Sequence, residues 1–226
     1  MNFKILKGYN MKNLNLYLIR HGQTEWNIAD RMQGVQNSPL TEKGVLGAKI
    51  TGEYLKTTPF IQAYSSPLPR AMDTRDYILA ENNVSAPTAT LAGLSEMDFG
   101  AWEGQHVPEL VKLDEFQQYL KDPENYQGKT NQGEKYLDVL NRMQRSLDEI
   151  VKNAPADNGN ILIVSHATAL RILLCVLNGG DWRKHRDDNY FPRILNTSIS
   201  LVNYQGNGDE GTYTVKYFND VNHIPD

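Results

Sequence analysis

The sequence contains almost no cysteine: Cys175 is the only one among 226 residues. A single cysteine excludes an internal disulfide and any metal site built from several cysteines, and it is typical of proteins from reducing compartments. The chain also lacks the run of about 20 apolar residues that a membrane-spanning helix needs. Its first residues lack the apolar stretch and cleavage site of a signal peptide. We therefore expect a cytoplasmic protein that does not enter a membrane.

The chain also lacks an excess of positive charge. Lys and Arg number 23 against 27 Asp and Glu, which gives a formal net charge of −4. This balance argues against a general nucleic-acid or membrane-surface binder, although it is compatible with a local basic pocket. Hydrophobic residues make up 40% of the chain, as in ordinary globular proteins. With no repeat or low-complexity linker, we predict one domain over 1–226, in which 1–12 is a disordered lead-in and either Met1 or Met11 is the true start.

Short apolar segments alternate with helical patterns along the chain. Such alternation predicts an α/β fold: a three-layer sandwich with a mostly parallel central sheet and helices on both faces. The predicted strands are 14–19, 61–65, 161–164, 198–204 and 213–218, and the predicted helices are 24–31, 41–57, 69–82, 107–121, 134–153 and 168–177. The segment 97–133 is less regular, and we interpret it as an insertion on the substrate side.

Basic side chains follow three of the predicted strands at the point where each strand ends. His21 comes directly after the first strand together with Arg20, His166 follows the strand 161–164, and Arg70 lies in the first turn of the helix that follows 61–65. Taken singly, such residues are more often packing or surface groups. Ligands of α/β sheets bind beyond the carboxyl ends of the strands, where helix N-termini also favour anions. The convergence of two histidines and two arginines predicts a pocket for a dianionic phosphoryl group.

Four motifs make the sequence recognisable. They are LIRHGQTEWN at 18–27, SSPLPRA at 65–71, EMDFGAWEG at 96–104 and VSH at 164–166. In this order they resemble the histidine phosphatase superfamily, in its phosphoglycerate-mutase-like branch, and the resemblance covers roughly residues 14–204. It implies a phosphoglycerate-mutase-like fold and a reaction on small-molecule phosphate esters.

The resemblance also implies three catalytic residues. His21 is expected to be the nucleophile that forms a phosphohistidine, Glu96 the general acid and base, and His166 a donor to the phosphoryl oxygens. No metal and no other cofactor is expected. The sequence departs from the family pattern at Gln23, where glutamate is commoner, and at Ala167, where glycine is usual and a methyl group is expected to crowd the pocket slightly.

The same resemblance implies a phosphate-binding set. Arg20, Arg70 and His166 are expected to bind the phosphoryl oxygens, and Asn27 to add a hydrogen bond. The two arginines suit this role because a guanidinium stays charged and offers a planar fork of donors.

The choice of acceptor separates a phosphatase from a mutase. A mutase must hold a second acidic group, which cationic side chains around the outer pocket would do. No arginine occurs between Arg75 and Arg142, and only Arg183 and Arg186 could reach the pocket from elsewhere. We therefore expect a metal-independent phosphatase for small phosphate monoesters. The alternatives are a phosphoglycerate mutase or sugar bisphosphatase and, less favoured, a dedicated α-ribazole-type phosphatase or an inactive phospho-ligand-binding module.

Other conspicuous residues are expected to be structural. Cys175 lies in an apolar helix and is predicted to belong to the core. His106, His185 and His223 have no metal-ligand spacing and are predicted to lie on the surface. The aromatic residues at 116–126 are expected mainly to pack, with lining of the substrate site as the alternative.

Overall fold

A computed structural model describes residues 11–225 of the chain, built around one six-stranded sheet in the order β3-β2-β4-β1-β5-β6. The first ten residues of the predicted lead-in lie outside the described residues, and β1 already begins at Lys12. The first four strands of this order run parallel, whereas β5 and β6 are antiparallel to their neighbours. The strands are β1 Lys12–Arg20, β2 Phe60–Ser65, β3 Thr88–Thr90, β4 Asn158–Ser165, β5 Ile199–Gly206 and β6 Gly211–Asp220. The short, largely exposed edge strand β3 was not predicted, because three residues give no periodic signal.

Helices cover both faces of this sheet. They are α1 Glu25–Ile28, α2 Glu42–Tyr54, α3 Pro69–Ala80, α4 Val107–Leu110, α5 Asp114–Lys121, α6 Tyr136–Lys152 and α7 Ala167–Leu177. Three 3₁₀ turns complete the description, at Ala92–Leu94, Gly100–Trp102 and Trp182–Lys184. Among residues 11–225, no helix combines the length and the apolar character needed to cross a bilayer.

Two hydrophobic clusters, one on each face of the sheet, hold the helices against it. Successive residues of a strand point to opposite faces, so Leu18 of β1 and Ile163 of β4 face one side while Ile19 and Val164 face the other. The first side packs against α6 and α7, and the second against α2 and α3. Burying each such side chain contributes about 1.5–3 kcal/mol. The predicted three-layer fold with a mostly parallel sheet is confirmed.

The predicted helix 107–121 is two helices. Leu113 between α4 and α5 has extended backbone, with φ −87° and ψ 135°, so the helical hydrogen bonds stop there. Leu110 and Phe116 are both buried, although on one continuous helix they would lie about 120° apart around the axis and so on different faces. The break lets both side chains reach the core, and tertiary packing therefore overrides the local helical pattern.

His185 corrects one sequence prediction. It was expected on the surface, but it is completely buried against Tyr136, with ring centroids 4.7 Å apart. Its Nδ1 lies 2.6 Å from the carbonyl oxygen of Trp182. Burial, together with the charge of Arg186, lowers the pKa of His185 to about 3, so this histidine is neutral. His106 is exposed as predicted.

The predictions for Cys175, His223 and the aromatic residues at 116–126 have different outcomes. Cys175 is buried in α7, as predicted. His223 is half-buried and contacts Thr51 rather than lying free on the surface. Phe116 and Tyr119 are buried and pack against each other with ring centroids 5.3 Å apart, and both also line a cavity, so the expected packing and its alternative occur together.

Two glycines bring the end of β1 against α2. A Cβ on Gly22 would lie 2.5 Å from the carbonyl oxygen of Gly44, and a Cβ on Gly44 would lie 2.1 Å from that of Gln23. Neither distance is compatible with a side chain, so the loop after β1 and the first turn of α2 pack backbone to backbone. This contact fixes the direction in which the chain leaves the sheet after His21.

Candidate active site

The ends of three parallel strands bring together the residues predicted from the motifs. Arg20 at the end of β1 pairs with Ser165 at the end of β4, so the histidines that follow them are neighbours. The rings of His21 and His166 have centroids 5.1 Å apart. Arg70 enters from the first turn of α3, which follows β2.

His21 is held as one tautomer. Its Nδ1 lies 2.7 Å from the carbonyl oxygen of Gly22, so Nδ1 carries the hydrogen and Nε2 keeps its lone pair. The side chain is only 3% exposed. Burial, reinforced by the positive charges of Arg70 and Arg20, holds the pKa of His21 well below its usual value. The imidazole is therefore neutral at neutral pH and has a free nitrogen lone pair.

His166 has unmet hydrogen-bonding capacity. It is completely buried, and neither ring nitrogen has a partner among the described residues. Burial, followed by the charge of Arg70, lowers its pKa well below the usual value. Unpartnered buried polar groups are rare, and a catalytic or ligand-binding role is one reason for a protein to retain them. An anion bound between the two rings would oppose the effect of the Arg70 charge on the pKa of His166. It would thereby favour the protonated imidazole, which donates hydrogen bonds.

Two arginines supply permanent charge beside the histidines. The Arg70 guanidinium is anchored by the carbonyl oxygens of Gly34 at 2.6 Å and Gln36 at 2.8 Å, whereas Arg20 donates to that of Ile194 at 2.7 Å. In both, the buried Nε has no hydrogen-bond partner within residues 11–225. Burial lowers the pKa of each to about 10, so both remain charged at neutral pH.

Asn27 lies at the rim of this group and is fixed by a residue that sequence reasoning missed. Asn196 donates from Nδ2 to the carbonyl oxygen of His21 at 2.9 Å and to Oδ1 of Asn27 at 3.3 Å. Asn27 also forms a capping box with Thr24, the N-cap residue of α1. Ile199, where β5 begins, pairs with Ile19 near the end of β1. A polar residue just before β5 was the available sequence signal for Asn196.

Glu96 reaches the same site from the loop after the turn at 92–94. Its carboxylate is only 4% exposed and accepts three backbone N–H bonds: from Thr168 and Ala169 in the first turn of α7, and from Met97, each at 2.9 Å. The negative charge of Glu96 raises the pKa of the Arg20 guanidinium and so opposes the lowering that burial causes. The carboxylate therefore lies within electrostatic reach of the cations and directly beside the start of α7.

A cavity of about 380 Å³ extends outward from Arg20 and from Ala167, whose methyl group forms part of its wall. Its lining combines apolar side chains with three further arginines and the carboxylate of Asp30. The apolar side chains are those of Met32, Val107, Val111, Phe116, Tyr119, Leu120 and Ile194, and the arginines are Arg171, Arg186 and Arg193. The outer pocket thus contains more arginine than the sequence suggested, because the side chains come from the 171–193 region and not from the segment before Arg142.

Arg183, the other predicted source of charge, contacts Glu124 and Asp181 and does not line this cavity. Among residues 11–225, no group of three or more His, Cys, Asp or Glu side chains is arranged to hold a metal ion.

Known proteins resemble this chain over most of its length. A probable phosphoglycerate mutase, GpmB of Proteus mirabilis, is 33% identical over 218 residues, which cover 94% of this chain and 96% of that protein. The structure of Bacillus stearothermophilus YhfR is 30% identical, with a TM-score of 0.83, and the match covers 94% of this chain and all of that one.

A phosphoserine phosphatase from Entamoeba histolytica, solved in complex with 3-phosphoglyceric acid, is 25% identical with a TM-score of 0.77, over 94% of this chain and 100% of that one. The model of the histidine phosphatase superfamily, branch 1, matches residues 16–220. These residues include every member of the site and all six strands but the first residues of β1. By this match and by its phosphoglycerate-mutase-like fold, the chain belongs to branch 1 of the histidine phosphatase superfamily.

Proposed function

We propose that the protein is a metal-independent phosphatase that hydrolyses small phosphate monoesters through a phosphohistidine at His21. The observation that carries the proposal is the state of His21: a buried, neutral imidazole with its free Nε2 lone pair beside His166 and two charged arginines. A neutral imidazole is a good nucleophile near neutral pH, and two successive transfers replace one difficult displacement.

In the first transfer, the Nε2 lone pair of His21 forms a bond to phosphorus. The bond from phosphorus to the alcohol oxygen breaks, and its electron pair goes to that oxygen. Protonated Glu96 gives its proton to the leaving oxygen. In the second transfer, water attacks phosphorus and gives a proton to the Glu96 carboxylate, while the N–P bond breaks and its electrons return to Nε2.

The phosphoryl oxygens are held by fixed donors. Arg20 and Arg70 face the group with positive charge throughout, and Asn27 adds a hydrogen bond. His166 takes up a proton when the dianion binds and donates to it. Charge that spreads over the three equatorial oxygens is thus met by preorganised cations, which is the role a metal ion plays in other phosphoryl-transfer enzymes.

The alcohol half of the substrate occupies the arginine-lined cavity. Its arginines favour an acidic group on that alcohol, and they are the observation that supports the second candidate, a phosphoglycerate mutase or bisphosphatase. Two of them are already engaged, however: Arg171 and Arg193 both contact the carboxylate of Asp188, at 2.8 Å and 2.9 Å. Arg186 alone has no carboxylate partner among the described residues and instead donates to the hydroxyl of Tyr119. A single cation without an ion-pair partner gives a weak clamp, so water competes well for the phosphoenzyme and hydrolysis is favoured.

An assay of reaction class tests this choice. With 3-phosphoglycerate and a bisphosphorylated primer in the presence of EDTA, we expect inorganic phosphate and little 2-phosphoglycerate, because the alcohol is not held in line for the return transfer. Phosphate release is measured directly. In parallel, the reaction is quenched and desalted, and 2-phosphoglycerate is then measured by adding enolase with its own magnesium and following phosphoenolpyruvate. Mutase flux greater than phosphate release would assign the second candidate, and loss of all activity in EDTA would refute metal independence.

Arg186→Gln tests the role of the cavity. A hydrogen bond to a charged group contributes about 1.5–3 kcal/mol, so we expect KM for O-phosphoserine to rise about 10-fold or more. KM for phenyl phosphate, which has no second acidic group, should change little. Arg183→Gln is the matched control, since Arg183 lies on the same segment but outside the cavity. An equal rise for both substrates would show that Arg186 does not read an acidic group.

A further inference from the structure

Arg142 of α6 lies beneath the loop that carries Glu96 and is bound to it through the backbone. Nη1 donates to the carbonyl oxygens of Gly93 at 2.8 Å and Ser95 at 2.6 Å, and Nη2 donates to that of Glu96 at 2.9 Å. Nε and Nη2 also form a two-pronged ion pair with Glu134, at 2.7 Å and 2.9 Å. A guanidinium has five N–H donors, and all five are used here.

The loop needs this support because it has little regular structure of its own. After the turn at 92–94, Ser95 is extended, with φ −63° and ψ 159°, and the next element begins only at Gly100. The loop also touches α6 closely: a Cβ on Gly93 would lie 2.1 Å from Oγ of Ser146. Backbone contact at Gly93 and the Arg142 fork together pin the loop to one turn of α6.

Glu96 is thereby fixed at two points. Arg142 holds its carbonyl oxygen, and the first turn of α7 holds its carboxylate through Thr168 and Ala169. The carboxylate must exchange a proton with the substrate oxygen while staying in line with it. We infer that Arg142 is a positioning residue that sets the place of Glu96 for proton transfer to the leaving group. This inference rests on the proposed acid and base role of Glu96.

The competing explanation is that Arg142 affects the site only through its positive charge. The positive charge of Arg142 contributes to the low pKa of His166, so removing that charge would affect the site without any change at Glu96. Lysine separates the two explanations because it keeps the charge but is a compact point donor, unable to reproduce the planar fork. Arg145→Lys is the matched control: Arg145 lies on the same helix, is exposed and bonds only the carbonyl oxygen of Asn141.

The experiment measures single-turnover phosphorylation by an alkyl phosphate and by nitrophenyl phosphate. In Arg142→Lys we expect the alkyl reaction to slow about 10- to 100-fold, as small misplacements of catalytic groups do, with nitrophenyl phosphate much less affected. The Glu96→Gln, Arg142→Lys double variant should be no slower than Glu96→Gln alone. Glu134→Gln keeps Arg142 and its charge but weakens the ion pair, so it should slow the alkyl reaction in the same direction even if Arg142→Lys folds poorly.

Several results would overturn the inference. Wild-type rates in Arg142→Lys would show that charge suffices, and equal slowing of both substrates would show a merely structural role. Additive losses in the double variant would mean that Arg142 does not act through Glu96. If Glu96→Gln itself fails to discriminate between the two substrates, the fault lies in the proposed role of Glu96; if it discriminates and Arg142→Lys does not, only the positioning role fails.

Discussion

His21→Ala abolishes turnover while the protein stays folded: this is the largest effect we expect. The substitution removes the nucleophile, and loss of a covalent catalyst costs at least about 10³-fold in kcat. The fold should tolerate it, because the imidazole makes one hydrogen bond within the protein, to the carbonyl oxygen of Gly22, worth about 1 kcal/mol. Turnover of phenyl phosphate and the thermal midpoint measured on the same sample check both statements.

The covalent step has its own signature in the wild-type protein. Brief incubation with labelled substrate should give an acid-labile, base-stable phosphoprotein, since a phosphorylated imidazole hydrolyses in acid. Peptide mapping should place the label on His21 and not on His166. His106→Ala, which alters an exposed histidine outside the site, should label normally. Retained turnover in folded His21→Ala, or label on His166, would remove the proposed nucleophile.

The strand ends could be predicted from sequence because their geometry is general. His21 and His166 each follow an apolar strand, and the carboxyl ends of parallel strands meet at one edge of a sheet. The sequence does not state that the two strands are neighbours. The structure shows that they are, with Arg20 of β1 in register with Ser165 of β4.

Residues that act on the site from distant segments could not be predicted in this way. Arg142 sits in an amphipathic helix whose pattern indicates only a buried face, and nothing in that pattern says which loop it contacts. Arg171 reaches the cavity from α7 and Arg193 from the segment after it, and both placements depend on tertiary packing. The absence of arginine between Arg75 and Arg142 was read correctly from the sequence, but the arginines of the outer pocket come from the 171–193 region instead.

The predictions of a surface position for His185 and of one helix over 107–121 were wrong for a related reason. Burial of a histidine depends on what packs over it, here the ring of Tyr136. The break at Leu113 lets two side chains reach one core, which local helical periodicity cannot anticipate. Both are cases in which contacts between distant segments decide the local structure.

Glu96→Gln should discriminate between leaving groups. Glutamine is close to glutamate in shape but cannot deliver a proton, so phosphorylation by alkyl phosphates, whose alkoxides are strongly basic, should slow by about 10² to 10⁴. Nitrophenyl phosphate releases a weak base and should be much less affected in this step. We expect dephosphorylation to slow for both substrates because Glu96 is also proposed to activate water, and single-turnover measurement of the first step separates the two effects.

The hydrogen bonds of Glu96 set the control for that experiment. The carboxylate accepts three backbone N–H bonds, and the amide of a glutamine would turn an N–H₂ group toward one of these donors, at a cost of about 1–3 kcal/mol in stability. Glu103→Gln suffers a comparable loss, because Glu103 accepts N–H bonds from Val35, Gln36 and Phe99. Glu103 has no proposed proton to transfer, so its variant should affect both substrates alike. Selectivity confined to Glu96→Gln would therefore come from the proton and not from a loosened loop, whereas equal slowing of both substrates in both variants would remove Glu96 from the acid role.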